Sequence, residues 1–215
     1  KCSVKVVEKS FDSDYTICTI GDSLSYSDKH WQPEITKKQS HIKFVGTKSY
    51  TGSASDSSQQ QCATDGRPGF TTSDYIAGNG SSYYNEEHHS FWNGSRFEFA
   101  NWVTNFNGGR LPSAVMIWLG ANELSLTPDT TIANIKTMVN NIIGCGVNKI
   151  YIVQTIYMAD QSAIGNQSNN EGFVSTPGRY KFGVDKMVYN LVTASYDEYK
   201  DNNKVVLIPL CTCHD

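Results

Sequence analysis

Ser23 follows a short apolar run and stands where a serine nucleophile could act. The run, Thr16–Ile20, has the character of a buried strand, and Gly21-Asp22-Ser23-Leu24 comes directly after it. A parallel strand ending there would place the Ser23 hydroxyl at the carboxyl edge of a sheet, where open α/β sheets bind ligands. A serine hydroxyl is a weak nucleophile at neutral pH and needs a base to accept its proton. The same triplet is also typical of a turn that caps a helix.

Two later segments could supply the donors that such a nucleophile needs. In Gly66-Arg67-Pro68-Gly69-Phe70, Gly69 would let the backbone approach a ligand closely and offer its N–H. In Leu119-Gly120-Ala121-Asn122-Glu123, which ends another apolar run, Asn122 could present a side-chain amide. Together with the N–H of Ser23, these donors would stabilise the oxyanion formed when an ester carbonyl is attacked. Taken singly, each segment also fits an ordinary turn.

The three segments, in this order, resemble the first three blocks of the GDSL family, also called the SGNH hydrolases. The resemblance covers nearly the whole chain. It implies a three-layer α/β/α fold with a flavodoxin-like sheet of five parallel strands, and hydrolysis of esters, thioesters and acyl groups on glycans and lipids. It makes Ser23 the nucleophile and an oxyanion donor, with Gly69 and Asn122 as the other donors. The segments around Phe91-Trp92-Asn93 and Phe97-Glu98-Phe99 resemble a branch found in phage and gut-bacterial proteins, many of them glycan esterases.

The chain departs from the family pattern in two places. The third block usually reads Gly-x-Asn-Asp, whereas Glu123 takes its last place here, a change that we expect to be tolerated. The fourth block, Asp-x-x-His, does not occur near any of the five histidines. Glu86 precedes His89 by three residues but lies in the middle of the chain, and His214 with Asp215 beside it is a weak candidate for the base. We therefore expect the catalytic histidine and aspartate beyond Asp215, and little activity from this chain alone.

Composition limits the class of protein and its partners. A chain of 215 residues suits a single domain spanning residues 1–215, with residues 1–12 as a linker or the end of a preceding domain. The net charge of -3 does not favour nucleic acid as a partner, and no apolar run approaches the roughly 20 residues that span a bilayer. The opening Lys1-Cys2-Ser3 has neither a methionine nor a signal-peptide pattern, so we expect part of a longer polypeptide. As a separate expectation, an extracellular, cell-surface or virion-associated location is favoured.

Strand-like runs alternate with helical periodicity, which predicts βαβ units and a parallel sheet. The predicted strands are Thr16–Ile20, His41–Val45, Ala114–Leu119, Lys149–Gln154 and Lys204–Pro209. The predicted helices are Tyr26–Lys38, one that begins at Thr127-Pro128 and ends near Gly144, and Arg179–Lys200. Three segments are predicted to be irregular: Lys48–Asp65, the aromatic insertion Gly78–Gly94, and Tyr157–Gly178.

No cofactor or metal is expected. Cys211-Thr212-Cys213-His214 has no second ligand cluster at zinc spacing, and His88-His89 beside Glu86-Glu87 fits an exposed polar loop better than a metal site. The six cysteines show no disulfide framework.

The leading hypothesis is a serine esterase that removes acetyl or other small acyl groups from a glycan. The alternative is a catalytically inactive, glycan-binding domain of a larger surface or virion protein. The aromatic insertion motivates the glycan, although its rings could instead fill a hydrophobic core.

Overall fold

The fold is built on a mostly parallel sheet. The structure, a computed structural model, describes residues 14–26, 31–49, 62–123, 127–154 and 184–209. Seven strands form the sheet in this part of the chain: β1 (Tyr15–Gly21), β2 (Ile42–Val45), β3 (Lys48–Ser49), β4 (Ala63–Gly66), β5 (Ala114–Trp118), β6 (Ile150–Val153) and β7 (Val205–Ile208). The five predicted strands correspond to β1, β2, β5, β6 and β7, each to within one residue at either end.

The strand order is that of the predicted fold. β2 pairs in parallel with β1, and β1, β5, β6 and β7 follow one another in parallel. If these five strands are numbered 1 to 5 in chain order, they lie across the sheet in the order 2-1-3-4-5. This is the order of the flavodoxin-like sheet. In such a sheet the chain reverses its winding direction beside β1, so the carboxyl end of β1 is a natural place for a ligand.

The prediction of an irregular segment at Lys48–Asp65 is wrong at both ends of that segment. β4 pairs in parallel with the last residues of β1, with Ile20 opposite Asp65 and Gly21 opposite Gly66. β3 runs antiparallel to β4. The polar residues of β4 concealed this strand in the sequence, because they are buried and hydrogen-bonded rather than solvated. Residues 50–61 lie outside the described residues.

Five helices and one 3₁₀ turn occur in the described ranges. They are α1 (Trp31–Lys38), α2 (Thr72–Ala77), the turn Ser82–Tyr84, α3 (Phe99–Phe106), α4 (Pro128–Gly144) and α5 (Val184–Tyr199). The prediction for α4 is confirmed, since the Thr127 side chain caps it by accepting a hydrogen bond from the Thr130 N–H at 3.2 Å. Within these ranges no helix has both the length and the apolar character needed to cross a bilayer.

Other helix predictions need correction or lie outside the described residues. The first predicted helix is confirmed from Trp31 to Lys38 as α1, whereas Tyr26, its predicted first residue, lies in a bend, and residues 27–30 are outside the described residues. α2 and α3 were not predicted, since six and eight residues are too few to show a clear helical period. The last predicted helix is confirmed from Val184 onward, and the segment Tyr157–Gly178 is outside the described residues.

Side chains of β1 alternate between two hydrophobic layers. Ile17 lies in a smaller cluster against which Trp31 and Ile35 of α1 pack. Cys18 and Ile20 lie in the larger cluster, which includes one or more buried side chains from each of the other four helices: Tyr75, Phe99, Trp102, Met138 and Tyr199. Helices therefore cover both faces of the sheet, as the predicted three-layer fold requires.

The start of α2 depends on a reciprocal cap. The Thr71 hydroxyl accepts a hydrogen bond from the Asp74 N–H at 3.2 Å, and the Asp74 carboxylate accepts one from the Thr71 N–H at 2.8 Å. We expect Thr71→Ala to lower the free energy of unfolding by about 1 kcal/mol, measured by urea titration. Thr137→Ala, at an exposed position within α4, is the control and should leave stability nearly unchanged. Equal stability of the two variants would show that the cap contributes nothing.

Candidate active site

Three neighbouring strands end together and bring the three sequence motifs to one place. Gly21 at the end of β1 lies opposite Gly66 of β4 on one side and Trp118 of β5 on the other. The residues predicted for the site each follow one of these strands: Ser23, Gly69 and Asn122. The structure therefore groups the three segments at the carboxyl edge of the sheet.

Asp22 holds the turn that presents Ser23. Its carboxylate accepts a hydrogen bond from the Leu24 N–H at 2.8 Å, and its carbonyl accepts one from the Ser25 N–H at 3.1 Å. The Asp22 N–H donates to the Trp118 carbonyl at 3.3 Å and so joins the turn to β5. Asp22 and Ser25 are buried, whereas Ser23 between them is partly exposed. The tight turn thus leaves Ser23 accessible.

The glycines of the site serve two different purposes. A Cβ atom on Gly21 would lie 2.0 Å from Ser25 Oγ, and one on Gly66 would lie 2.5 Å from the Ser25 carbonyl oxygen, so both positions require glycine for close packing. Gly69 is exposed, has a φ of +81°, and has no described heavy atom within 4 Å of where its Cβ would be. Its left-handed conformation favours glycine, because a Cβ atom makes this conformation unfavourable.

Asn122 is tied to the loop that carries Gly69. Its side-chain amide donates a hydrogen bond to the Phe70 carbonyl oxygen at 3.2 Å. The same loop is joined to β1, because the Arg67 N–H donates to the Gly21 carbonyl at 2.8 Å. An amide group has two N–H bonds, so the contact with Phe70 occupies one of them and fixes the side chain.

Glu123 is a buried carboxyl group next to Asn122. One carboxylate oxygen accepts a hydrogen bond from the backbone N–H of Thr72 at 2.6 Å, while the other has no hydrogen-bond partner among the described residues. Burial raises the pKa of Glu123 to about 7; the nearby Asp74 and Asp22 also raise it, and the contact with Thr72 opposes them. In the sequence, Glu123 stands out because the family pattern has aspartate at its position. The sequence does not predict its hydrogen bond to Thr72 at the start of α2.

A buried ionic cluster supports the end of β4. The Arg67 guanidinium is fully buried and donates to the Glu86 carboxylate at 2.8 and 3.1 Å and to the Asp65 carbonyl at 2.7 Å. Lys48 lies 2.5 Å from Glu86. Burial would raise the pKa of Glu86, but Arg67 and Lys48 bring it below its ordinary value. The Asp65 carboxylate also accepts hydrogen bonds from three other residues: Thr47, Ser90 and Trp102.

His89 is not available to Ser23 as a base. Its Nε2 lies 2.8 Å from the Tyr75 carbonyl, and its Nδ1 accepts a hydrogen bond from the Phe91 N–H at 3.2 Å. Burial lowers the pKa of His89 to about 4, so the ring is neutral at physiological pH. Both ring nitrogens are therefore committed to backbone groups, and His89 has a structural role.

The remaining described histidines make no hydrogen bond to Ser23 either. Nδ1 of His88 lies 2.7 Å from the Gly78 carbonyl. His41 immediately precedes β2 and so lies at the amino edge of the parallel sheet, opposite the edge that carries Ser23. His30 and the weak candidate His214 lie outside the described residues.

One ring of the aromatic insertion, that of Phe91, belongs to the main core. Phe91 packs against Phe97, Phe99 and Trp102 with ring centroids 5.4, 5.9 and 6.0 Å apart, and all four are buried. The second of the two expectations, that the rings fill a core, therefore holds for Phe91, whose partners Phe97, Phe99 and Trp102 lie beyond the insertion. Tyr83 behaves differently, because 54% of its surface is exposed.

The potential metal ligands in the described ranges are not grouped. No three histidine, cysteine or carboxylate side chains there lie close enough to share a metal ion. Cys18 and Cys62 are buried thiols, and burial raises the pKa of both. The segment Cys211–His214 is outside the described residues.

Comparison with known proteins shows a shared fold. No protein-family model and no curated protein sequence matches this chain. Among solved structures, a family 3 carbohydrate esterase of Clostridium thermocellum is similar with a TM-score of 0.53 and 14% sequence identity, over 93% of this chain and 79% of that chain. At this identity the likeness concerns the path of the backbone. The chain therefore has an α/β fold that is also found in a carbohydrate esterase.

Proposed function

We propose that this protein is a serine esterase of the GDSL/SGNH type that removes acetyl or other small acyl groups from a glycan. The observation that carries the proposal is the joining of three strand ends by hydrogen bonds. The Ser23 turn is bonded to β5 through Asp22, and Asn122 is bonded to the Gly69 loop through Phe70. The fold likeness to a carbohydrate esterase supports an acylated sugar as the substrate class.

The proposed reaction has two steps. Ser23 Oγ forms a bond to the acyl carbon, the bond from that carbon to the sugar oxygen breaks, and the base passes the serine proton to the sugar oxygen. Water then attacks the acyl carbon while the base takes one of its protons, the bond to Ser23 Oγ breaks as the base returns that proton to Oγ, and the free acid leaves. In both steps the N–H groups of Ser23 and Gly69 and the Asn122 amide would stabilise the oxyanion. The base would be a histidine outside the described residues, and His214 is the one in this sequence that follows β7.

Covalent labelling of the full chain tests the nucleophile. We expect a fluorophosphonate to give a single adduct on Ser23, identified by peptide mass spectrometry, and to give none in Ser23→Ala. Without a positioned base the reaction should be slow, and imidazole added to the solution should accelerate it. Ser95→Ala, at an exposed serine away from the three strand ends, is the control and should label like the wild type. An adduct of equal yield in Ser23→Ala would overturn the assignment.

The second candidate function is an inactive glycan-binding domain. The observation that favours it is that Ser23 makes no hydrogen bond to any of the described histidines. Absence of any Ser23 adduct, even after long exposure with imidazole, together with retained glycan binding, would support this candidate over the esterase.

A further inference from the structure

A cavity of about 400 Å³ lies beside the buried ionic cluster. This volume falls within the range of roughly 300–1,000 Å³ that is usual for small-ligand sites. Its walls combine aromatic rings with polar side chains, which include Trp92, Phe106, Lys48, Glu86, Asn101 and His88. Neither the nucleophile nor the proposed oxyanion donors line it, so it is separate from the site of bond cleavage.

The charges at the cavity are balanced within the protein. Lys48 is paired with Glu86, which also receives two hydrogen bonds from Arg67, and Arg67 in turn contacts Asp65. Two cations thus face two anions. An anionic ligand would have to displace Glu86 from Lys48, and a cationic one would have to displace Lys48 or Arg67 from Glu86. A neutral ligand rich in hydroxyl groups avoids both costs.

The polar wall of the cavity is held rigid. The Asn101 amide donates to the Ser90 and Trp92 carbonyls, both at 3.0 Å, and its oxygen accepts a hydrogen bond from Asn105 at 2.7 Å. Such a preorganised wall loses little conformational entropy when a ligand binds.

A strip of tyrosine rings links the cavity to the nucleophile. Tyr26 follows Ser23 by three residues, and its ring meets that of Tyr83 edge to face with centroids 5.6 Å apart. Tyr83 meets Tyr84 at 4.9 Å, and the Lys48 ammonium lies 4.8 Å from the centre of the Tyr84 ring. Tyrosine offers a flat apolar face and a polar hydroxyl, which suits the C–H groups and hydroxyls of a sugar.

We propose that the cavity and the tyrosine strip form a subsite for uncharged sugar residues of the glycan whose acyl group is cleaved at Ser23. The inference rests on the proposed function and names the class of its substrate: a neutral, O-acylated polysaccharide that extends from Ser23 across Tyr83 and Tyr84 to the cavity.

Binding without turnover provides the test. The Ser23→Ala protein would be run in native gels containing acetylated xylan, acetylated mannan or soluble chitin oligomers, and in gels containing the anionic polymers polygalacturonate and heparin. We expect at least one neutral polymer to retard the protein, and the anionic polymers to retard it less. Tyr83→Ala and Phe106→Ala in this background should each weaken that binding by about tenfold. Both residues are exposed, so the fold should tolerate the changes.

Tyr196→Ala is the matched control, because Tyr196 is an equally exposed tyrosine on α5, outside the cavity and the strip. It should bind like the Ser23→Ala parent. Failure of every neutral polymer to bind, stronger binding of the anionic polymers, or unchanged binding after both Tyr83→Ala and Phe106→Ala would each overturn the subsite. Ser23 labelling in the wild type is scored separately, so labelling without glycan binding disproves the subsite alone. Tyr83-dependent binding without labelling disproves the esterase alone.

Discussion

Asn122→Ala should lower the Ser23-dependent rate of ester hydrolysis by about 10²–10³-fold, the usual loss when one oxyanion donor is removed. The structure supports a fixed donor, because one amide N–H of Asn122 is held by the Phe70 carbonyl at 3.2 Å. A donor already oriented needs no rearrangement when the oxyanion forms. The rate would be measured with p-nitrophenyl acetate in the presence of imidazole, as the difference between the protein and its Ser23→Ala variant.

Two controls separate a catalytic loss from a structural one. Asn148→Ala removes an exposed asparagine far along the chain and should keep the full rate. Because Asn122 also holds the Phe70 loop, the free energy of unfolding of Asn122→Ala must be measured alongside its rate. A stable, folded Asn122→Ala protein with the parent rate would show that Asn122 fixes the loop and does not stabilise the oxyanion.

The central sheet could be predicted because its strands are local apolar runs. β5, for example, is an uninterrupted apolar segment, and such a run is the sequence pattern of a strand that is covered on both faces. β4 could not be predicted in the same way. Its Asp65 is fully buried, and the donors that compensate this burial come from Thr47, Ser90 and Trp102, which are distant in the sequence. Only the fold brings them together.

The candidate site was predictable to different degrees for the same reason. Ser23 and Asn122 directly follow apolar strands, so the sequence alone places them at the carboxyl edge. Gly69 follows the unpredicted β4, and only the family resemblance pointed to it.

In the aromatic insertion, residue type predicts part of the burial pattern: Phe91 is buried, whereas Tyr83, with a hydroxyl that water can solvate, is exposed. Its contact with Tyr26 is set by the fold and cannot be read from spacing.

The stability of Glu123→Gln should depend on pH less steeply than that of the wild type. In the folded protein the pKa of Glu123 is about 7, above its ordinary value of 4.5, so the folded state keeps a proton that the unfolded state releases. The contribution of this carboxyl group to stability is therefore fully present below pH 4.5 and is lost as the pH rises towards 7. Glutamine is uncharged and has an oxygen that can still accept from the Thr72 N–H, so it avoids this loss.

Between pH 5 and pH 8, the free energy of unfolding of Glu123→Gln should rise relative to the wild type by about 2 kcal/mol. Urea titrations at the two pH values measure it, and any cost of burying the new amide N–H groups cancels because it is present at both. Glu87→Gln, at an exposed glutamate, should follow the wild type. Parallel curves for Glu123→Gln and the wild type would mean that the second Glu123 oxygen has a partner that keeps the carboxylate charged. Glu123 would then be an anion beside Asn122 throughout this pH range, and it would oppose an oxyanion there.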